Sequence, residues 1–78
     1  MEHKKYLKLR ELFKKEEVGL YENYEGGIYK VLDLAYNSDT KEVLVLYVSE
    51  LEKKGIFAKP YHEFFAKSPN GQSRFQKI

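Results

Sequence analysis

The 78-residue sequence predicts a mainly β fold: a small five-stranded SH3-like barrel preceded by an amphipathic N-terminal helix. Three observations carry this expectation. Before Val18 the apolar residues recur every three or four positions, the period of a helix. After Gly19 apolar and polar residues alternate, the period of a strand. Clusters of Gly, Pro, Asn, Asp and Ser then divide the remainder into pieces of strand length.

The helix comes first. Residues 3–16 lack Gly and Pro, and Tyr6, Leu9, Leu12 and Phe13 form one stripe along a helical surface. Such a stripe has to be buried, either against the flank or open end of its own domain or against a partner chain. A membrane-surface helix would need a larger apolar face and a more uniformly basic polar face. The change of period places a boundary at Val18-Gly19, with residues 1–17 as a helical extension and 18–78 as the barrel domain.

Strand signals follow in turn. Leu20–Tyr24 is a short aromatic strand, and Glu25-Gly26-Gly27 supplies the positive-φ positions of a tight hairpin. Ile28–Asn37 alternates, which sets Ile28, Lys30, Leu32, Leu34 and Tyr36 on one face and Tyr29, Val31, Asp33, Ala35 and Asn37 on the other. On that reading Tyr29 and Tyr36 point to opposite sides and share no platform. Ser38–Lys41 is the next turn, since its short polar side chains bond their own backbone. Glu42–Val48 is the most β-prone segment, and its continuous Val/Leu/Tyr run predicts a central strand covered on both faces. Beyond the polar loop Ser49–Gly55, the segment Ile56–Lys59 is a short strand ended by Pro60, which has no amide donor for a ladder. Phe64 and Phe65 stand three and four residues after Tyr61, as in a helical turn laid over the barrel mouth. Ser68-Pro69-Asn70-Gly71 turns the chain into a last strand, Ser73–Ile78.

Composition narrows the possible functions. With no cysteine, neither a disulfide nor a thiolate metal site can supplement a core that is small at this chain length. The longest apolar run, Val43–Val48, holds six residues, far below the roughly 20 of a membrane-spanning helix. Lys8, Arg10 and Glu11 interrupt any signal-peptide core, so the expected location is the cytoplasm, with no processing. The formal charge of +2 lies wholly in residues 1–17, leaving the barrel neutral and without the basic stripe of a phosphate-binding surface.

From Gly19 onward the chain resembles a widespread bacterial family of short domains of unknown function. The family pattern opens Gly-x-Tyr-x-His-Tyr-Lys-Gly-x-x-Tyr-x-Val-Leu, continues Ala-x-His-Ser-Glu-Thr-x-Glu, and closes with Trp-x-Arg-Pro and Arg-Phe. Gly19, Tyr21, Tyr24, Gly26, Tyr29, Val31, Leu32, Ala35, Ser38, Thr40, Glu42, Pro60, Phe64, Arg74 and Phe75 follow that pattern, as do Val45 and Tyr47. Asn23 and Asn37 stand where the resemblance implies histidines, and Glu25, Asp39 and Phe57-Ala58-Lys59 also depart from it. Asparagine keeps hydrogen bonding but cannot titrate, so any metal or proton chemistry of those histidines is lost here.

No catalytic, cofactor or metal site is expected. His3 and His62 are the only histidines, no Gly-x-Ser-x-Gly elbow is present, and Gly26-Gly27 falls in a hairpin rather than before a helix. Tyrosine is the conspicuous excess, at seven. Tyr21, Tyr24 and Tyr47, with the cations Lys59 and Arg74, form the candidate ligand or partner surface, unless the rings simply build the core. Lys59 and Arg74 have the alternative of pairing with Asp33, Glu42 or Glu63. The leading expectation is a non-catalytic module that binds a peptide or partner protein, as a monomer or as a homodimer through the N-terminal helix. Weak nucleic-acid binding is the alternative, and a small enzyme acting through Asn23, Asn37 and tyrosine hydroxyls is the third.

Overall fold

In the computed structural model, which describes residues 1–78, the chain runs α1 (His3–Glu16), β1 (Gly19–Asn23), β2 (Ile28–Tyr36), β3 (Val43–Ser49), β4 (Phe57–Pro60), α2 (Tyr61–Phe64) and β5 (Phe75–Lys77). Helix α1 begins without a side-chain cap but carries Lys14 and Lys15 in its last turn, where cations favour the helix dipole. The Lys77 ammonium of β5 donates to the Glu16 carbonyl, satisfying one of the acceptors left free at that end.

All strands pair antiparallel in the order β4-β3-β2-β1-β5. The edge strands β4 and β5 do not pair, so the sheet is open and the expected barrel closure is not seen. The reason lies in what joins the edges. Pro60 ends β4 and the chain turns at once into α2, while β5 is only three residues long and spends its bonds on β1. Side chains fill the gap instead. Phe64 of α2, fully buried, stacks on Phe75 of β5 at 4.1 Å and 7°.

Strand β2 departs from simple alternation. A bulge between Val31 and Asp33 leaves Leu32 without a partner on β3, and one extra residue reverses every side chain beyond it. Val31 and Leu34, three apart, are therefore both buried in the core. Tyr29 and Tyr36 likewise both pack against it, and the expectation that they face opposite sides is corrected.

Strand β3 is flanked by β2 and β4, as expected of a central strand, but it is not covered on both faces. Val43, Val45, Tyr47 and Ser49 are buried, whereas the intervening Leu44, Leu46 and Val48 are half-exposed. Every buried helical residue, Tyr6 and Phe13 of α1 and Phe64 of α2, joins the core on the Val45/Tyr47 side. Two layers suffice for this chain, and the second face of the sheet is left bare.

The α1 stripe packs on its own sheet through Tyr6, Leu9 and Phe13, whereas Leu12, expected in the stripe, is exposed. The Tyr6 hydroxyl donates to the Leu34 carbonyl at 3.1 Å, and Phe13 lies against the rings of Tyr61 and Phe65. Arg10 clamps Asp33 with two hydrogen bonds of 3.0 and 2.8 Å, beyond the last β1–β2 pair.

Candidate interaction surface

The five residues expected to form a ligand surface do not converge. Tyr21 and Tyr47 are core residues, 2% and 9% exposed. Tyr47 lies among the rings of Tyr29, Phe57, Phe64 and Phe75, and Tyr21 sets its edge against Phe64. Burial, and then a hydrogen bond to Glu17, pushes the Tyr21 hydroxyl far above the ordinary tyrosine range. Burial raises Tyr47 as well, so neither hydroxyl is poised for proton transfer near neutrality.

The remaining three lie on opposite edges of the sheet. Tyr24 is exposed at the β1 turn and donates its amide to the Arg74 carbonyl just before β5, whereas Lys59 sits across from Val45 on β4. The two ion pairs of the chain both end on Asp33, from Arg10 and Lys14, so Lys59 and Arg74 do not form the cross-strand bridges allowed for them. The Arg74 Nε atom is buried without a hydrogen-bond partner. The pairing of Arg10 with Asp33 was not legible in the sequence, because it joins residues 23 apart through the docking of α1.

Asparagine has a structural task at both positions where relatives are expected to carry histidine. Asn23 Oδ1 accepts the Glu25 amide at 2.8 Å at the end of β1. Asn37 Oδ1 accepts the amides of Asp39 and Thr40 at 3.0 and 3.2 Å just after β2. Both are side chains closing a turn on their own backbone. A polar recess of about 300 Å³ lies beside Asn23, lined by Glu22, Tyr24, Gln72, Ser73 and Gln76. No group of three His, Asp or Glu side chains comes together in a way that would hold a metal ion.

The most extensive chemical feature is the bare face of the sheet. The register sets Leu44 beside Ala35 and Pro60, Leu46 beside Ala58, Val48 beside Lys30, Lys30 beside Leu20, and Glu22 beside Ile28. Facing residues of paired strands share a side, so these form one surface across four strands. Ile78 extends it past Leu20, whose carbonyl accepts the Ile78 amide, and Ile56 precedes Ala58 on the same side. Leu20, Ile56 and Ile78 are 43%, 66% and 71% exposed. Glu22 and Lys30 stand exposed on this face, and the half-buried Glu50, whose amide donates to the Ile28 carbonyl, continues it beside Ile28. Asp33, opposite Leu46, directs its carboxylate to Arg10 and to the Leu34 amide. In sequence a half-exposed Leu44-x-Leu46-x-Val48 row looks the same as a covered one, so this surface carries no signal of its own there.

Comparison with known proteins gives the family and the fold. The family model described as "Protein of unknown function (DUF1653)" matches residues 19–77. A crystal structure of a DUF1653 protein from Bordetella bronchiseptica is 25% identical, with a TM-score of 0.69 over 85% of this chain and 91% of that one. No curated protein matches the chain.

Proposed function

We propose, from the premise that this chain belongs to the DUF1653 family of unknown function, that it is a non-catalytic interaction module whose bare sheet face docks a partner protein. The observation carrying the reading is the aliphatic surface of Leu20, Ile28, Leu44, Leu46, Val48 and Ile78, interrupted by Glu22, Lys30 and, beside Ile28, Glu50. Strands lie ~4.8 Å apart and rise ~3.3 Å per residue, so a face of this extent has a footprint of roughly 300–400 Å². The largest apolar patch of a soluble monomer is about 300–600 Å² and often functional, and this face falls in that range.

Three further features support this choice over the alternatives. Of the tyrosines expected to stack nucleic-acid bases, Tyr21 and Tyr47 are core and Tyr24 stands exposed apart from them, and the cationic excess lies on α1. Asn23 and Asn37 hold turns, and burial raises the hydroxyls of Tyr21 and Tyr47, which speaks against a small enzyme acting through these groups. The chain has no cysteine, and no helix is long and apolar enough to cross a membrane, which fits work in the reducing cytoplasm.

A photo-crosslinking residue placed at Leu46 or Val48 in cells tests the reading. Protein adducts from both positions, and none from the exposed Lys5 of α1, are the expected result. Adducts equally frequent from all three positions, or none from Leu46 and Val48, would overturn it.

A further inference from the structure

The geometry points to Asn70-Gly71, in the turn that leads into β5, as a site where the chain modifies itself: the asparagine deamidates through a succinimide, and the product loosens the strand that seals the core. This chemistry is independent of the sheet face and of any partner docked there.

The pair of residues supplies the reaction. An asparagine side chain puts its amide carbon within reach of the next backbone nitrogen, so a five-membered ring can close. The Gly71 nitrogen attacks Asn70 Cγ, the new N–C bond forms, the Cγ–Nδ2 bond breaks, and the Gly71 proton leaves with ammonia. Water then opens the ring at either carbonyl, giving aspartate or, with the backbone rerouted through the side-chain carboxyl, isoaspartate. Glycine hinders the attack least, because it has no Cβ. Of Asn23, Asn37 and Asn70, only Asn70 is followed by glycine.

The structure leaves this site open. Asn70 and Gly71 are both exposed, and no other atom stands within 4 Å of the place a Cβ on Gly71 would take, so the ring and the hydrolysing water have room. The hydroxyl of Ser68, a residue only 5% exposed, donates to Asn70 Oδ1. That contact polarises the carbonyl under attack and stabilises the oxygen on which negative charge develops. The restraint is the turn itself, in which the Gly71 amide donates to the Ser68 carbonyl at 2.9 Å and must be released before its nitrogen reacts. The other asparagines are held more firmly. The amide after Asn23 is bonded to the Arg74 carbonyl, and Asn37 Oδ1 is fixed by the amides of Asp39 and Thr40.

Position decides the consequence. The turn is the tip of a short hairpin in which the Ser68 amide bonds the Gln72 carbonyl, Lys67 faces Ser73, and the Arg74 amide bonds the Ala66 carbonyl. This hairpin delivers Phe75, whose stacking on Phe64 fills the gap between the sheet edges. Isoaspartate adds a methylene to the backbone at position 70 and a negative charge beside it. The Gly71–Ser68 bond cannot span the lengthened turn, so the modified chain holds β5 less firmly.

Incubation of the full chain at neutral and at mildly alkaline pH, followed by peptide mapping with mass spectrometry and by thermal melts, tests this. Asn70 should convert before Asn23 and Asn37, to both aspartate and isoaspartate, and faster at the higher pH because the Gly71 nitrogen must give up its proton. The converted chain should melt about 4–8 °C below the fresh one, the loss of about one hydrogen bond in a domain of this size. Asn70→Gln, which would have to close a larger ring, and Asn70→Ser, which has no amide to lose, should each keep mass and melting temperature through the same incubation. An Asn70 that stays intact in the folded chain while the chain in urea converts overturns the inference. So does conversion that begins at Asn37, or a converted chain that melts with the fresh one.

Discussion

Truncation of Phe13 to alanine is expected to lower the unfolding free energy by about 3–5 kcal/mol, the usual cost of deleting a buried aromatic ring. The side chain lies on α1, outside the residues matched by the family model, yet it is only 1% exposed. Its ring packs on Tyr61 at 6.4 Å and Phe65 at 6.3 Å, so it bridges the N-terminal helix and the segment around α2. A phenylalanine removes about 150–250 Å² from water, which at ~25 cal/mol per Å² gives about 4–6 kcal/mol as an upper value. With a urea dependence of ~1 kcal/mol per molar for a small domain, the unfolding midpoint should fall by about 3–5 M at unchanged slope. Leu12→Ala, one residue earlier but 58% exposed, is the matched control and should change stability by no more than about 0.5 kcal/mol. Urea titrations followed by circular dichroism distinguish the outcomes. A Phe13→Ala loss below about 1 kcal/mol, or one equal to that of Leu12→Ala, would refute the claim that α1 completes the core.

Other perturbations read the turns and the ion pairs. Asn37→Ala should cost about 1 kcal/mol by removing the acceptor for two turn amides, lowering the melting temperature by about 4–8 °C, while Asn37→Asp retains the acceptor and most of the stability. A thermal melt of the alanine variant that overlays the wild type would contradict this assignment. For Asp33, burial pushes the carboxyl up, but the Arg10 hydrogen bond, the Leu34 amide and the charges of Arg10 and Lys14 outweigh it and hold it below its ordinary value. A carboxylate depressed in the folded state stabilises above its unfolded pKa of ~3.9 and loses that contribution as pH falls through the folded value. Asp33→Asn should therefore cost about 1 kcal/mol at neutral pH, a figure kept small because Arg10 is partly solvated, and progressively less toward pH 2. Urea titrations of both proteins at the two pH values check it, and a difference that persists in acid would show that the carboxylate charge is not the cause.

Much of the fold was legible because it depends on local chemistry. Residues 3–16 lack helix breakers and carry an amphipathic stripe, and α1 spans His3–Glu16. Gly26 and Gly27 have φ of +94° and +104°, the left-handed region that made Glu25-Gly26-Gly27 a turn. The last strand was harder, since Phe75–Lys77 is half the length of the predicted segment. Its extent is set by how far β1 offers partners, not by its own residues.

The candidate surface was less legible than the strands. Tyr21 and Tyr47 are equally suited to a core or to a binding face, because a tyrosine ring packs well in either. Strict alternation sets Tyr29 and Tyr36 on opposite sides, and one unpaired residue, Leu32, reverses the second half of the strand. A bulge has no composition of its own to be recognised by.

Residue order alone thus decided the helix, the turns, the strand segments, the small and disulfide-free core, and membership of the family through residues 19–77. Those properties follow from backbone propensity and short-range periodicity, which act over a few residues. Tertiary structure alone decided that β4 and β5 stay unpaired, that Arg10 reaches Asp33, and that both helices bury their side chains on one side of the sheet. Each of these depends on which distant segments meet. The bare aliphatic face is the consequence, for an alternating strand specifies two sides without specifying which of them another layer will cover.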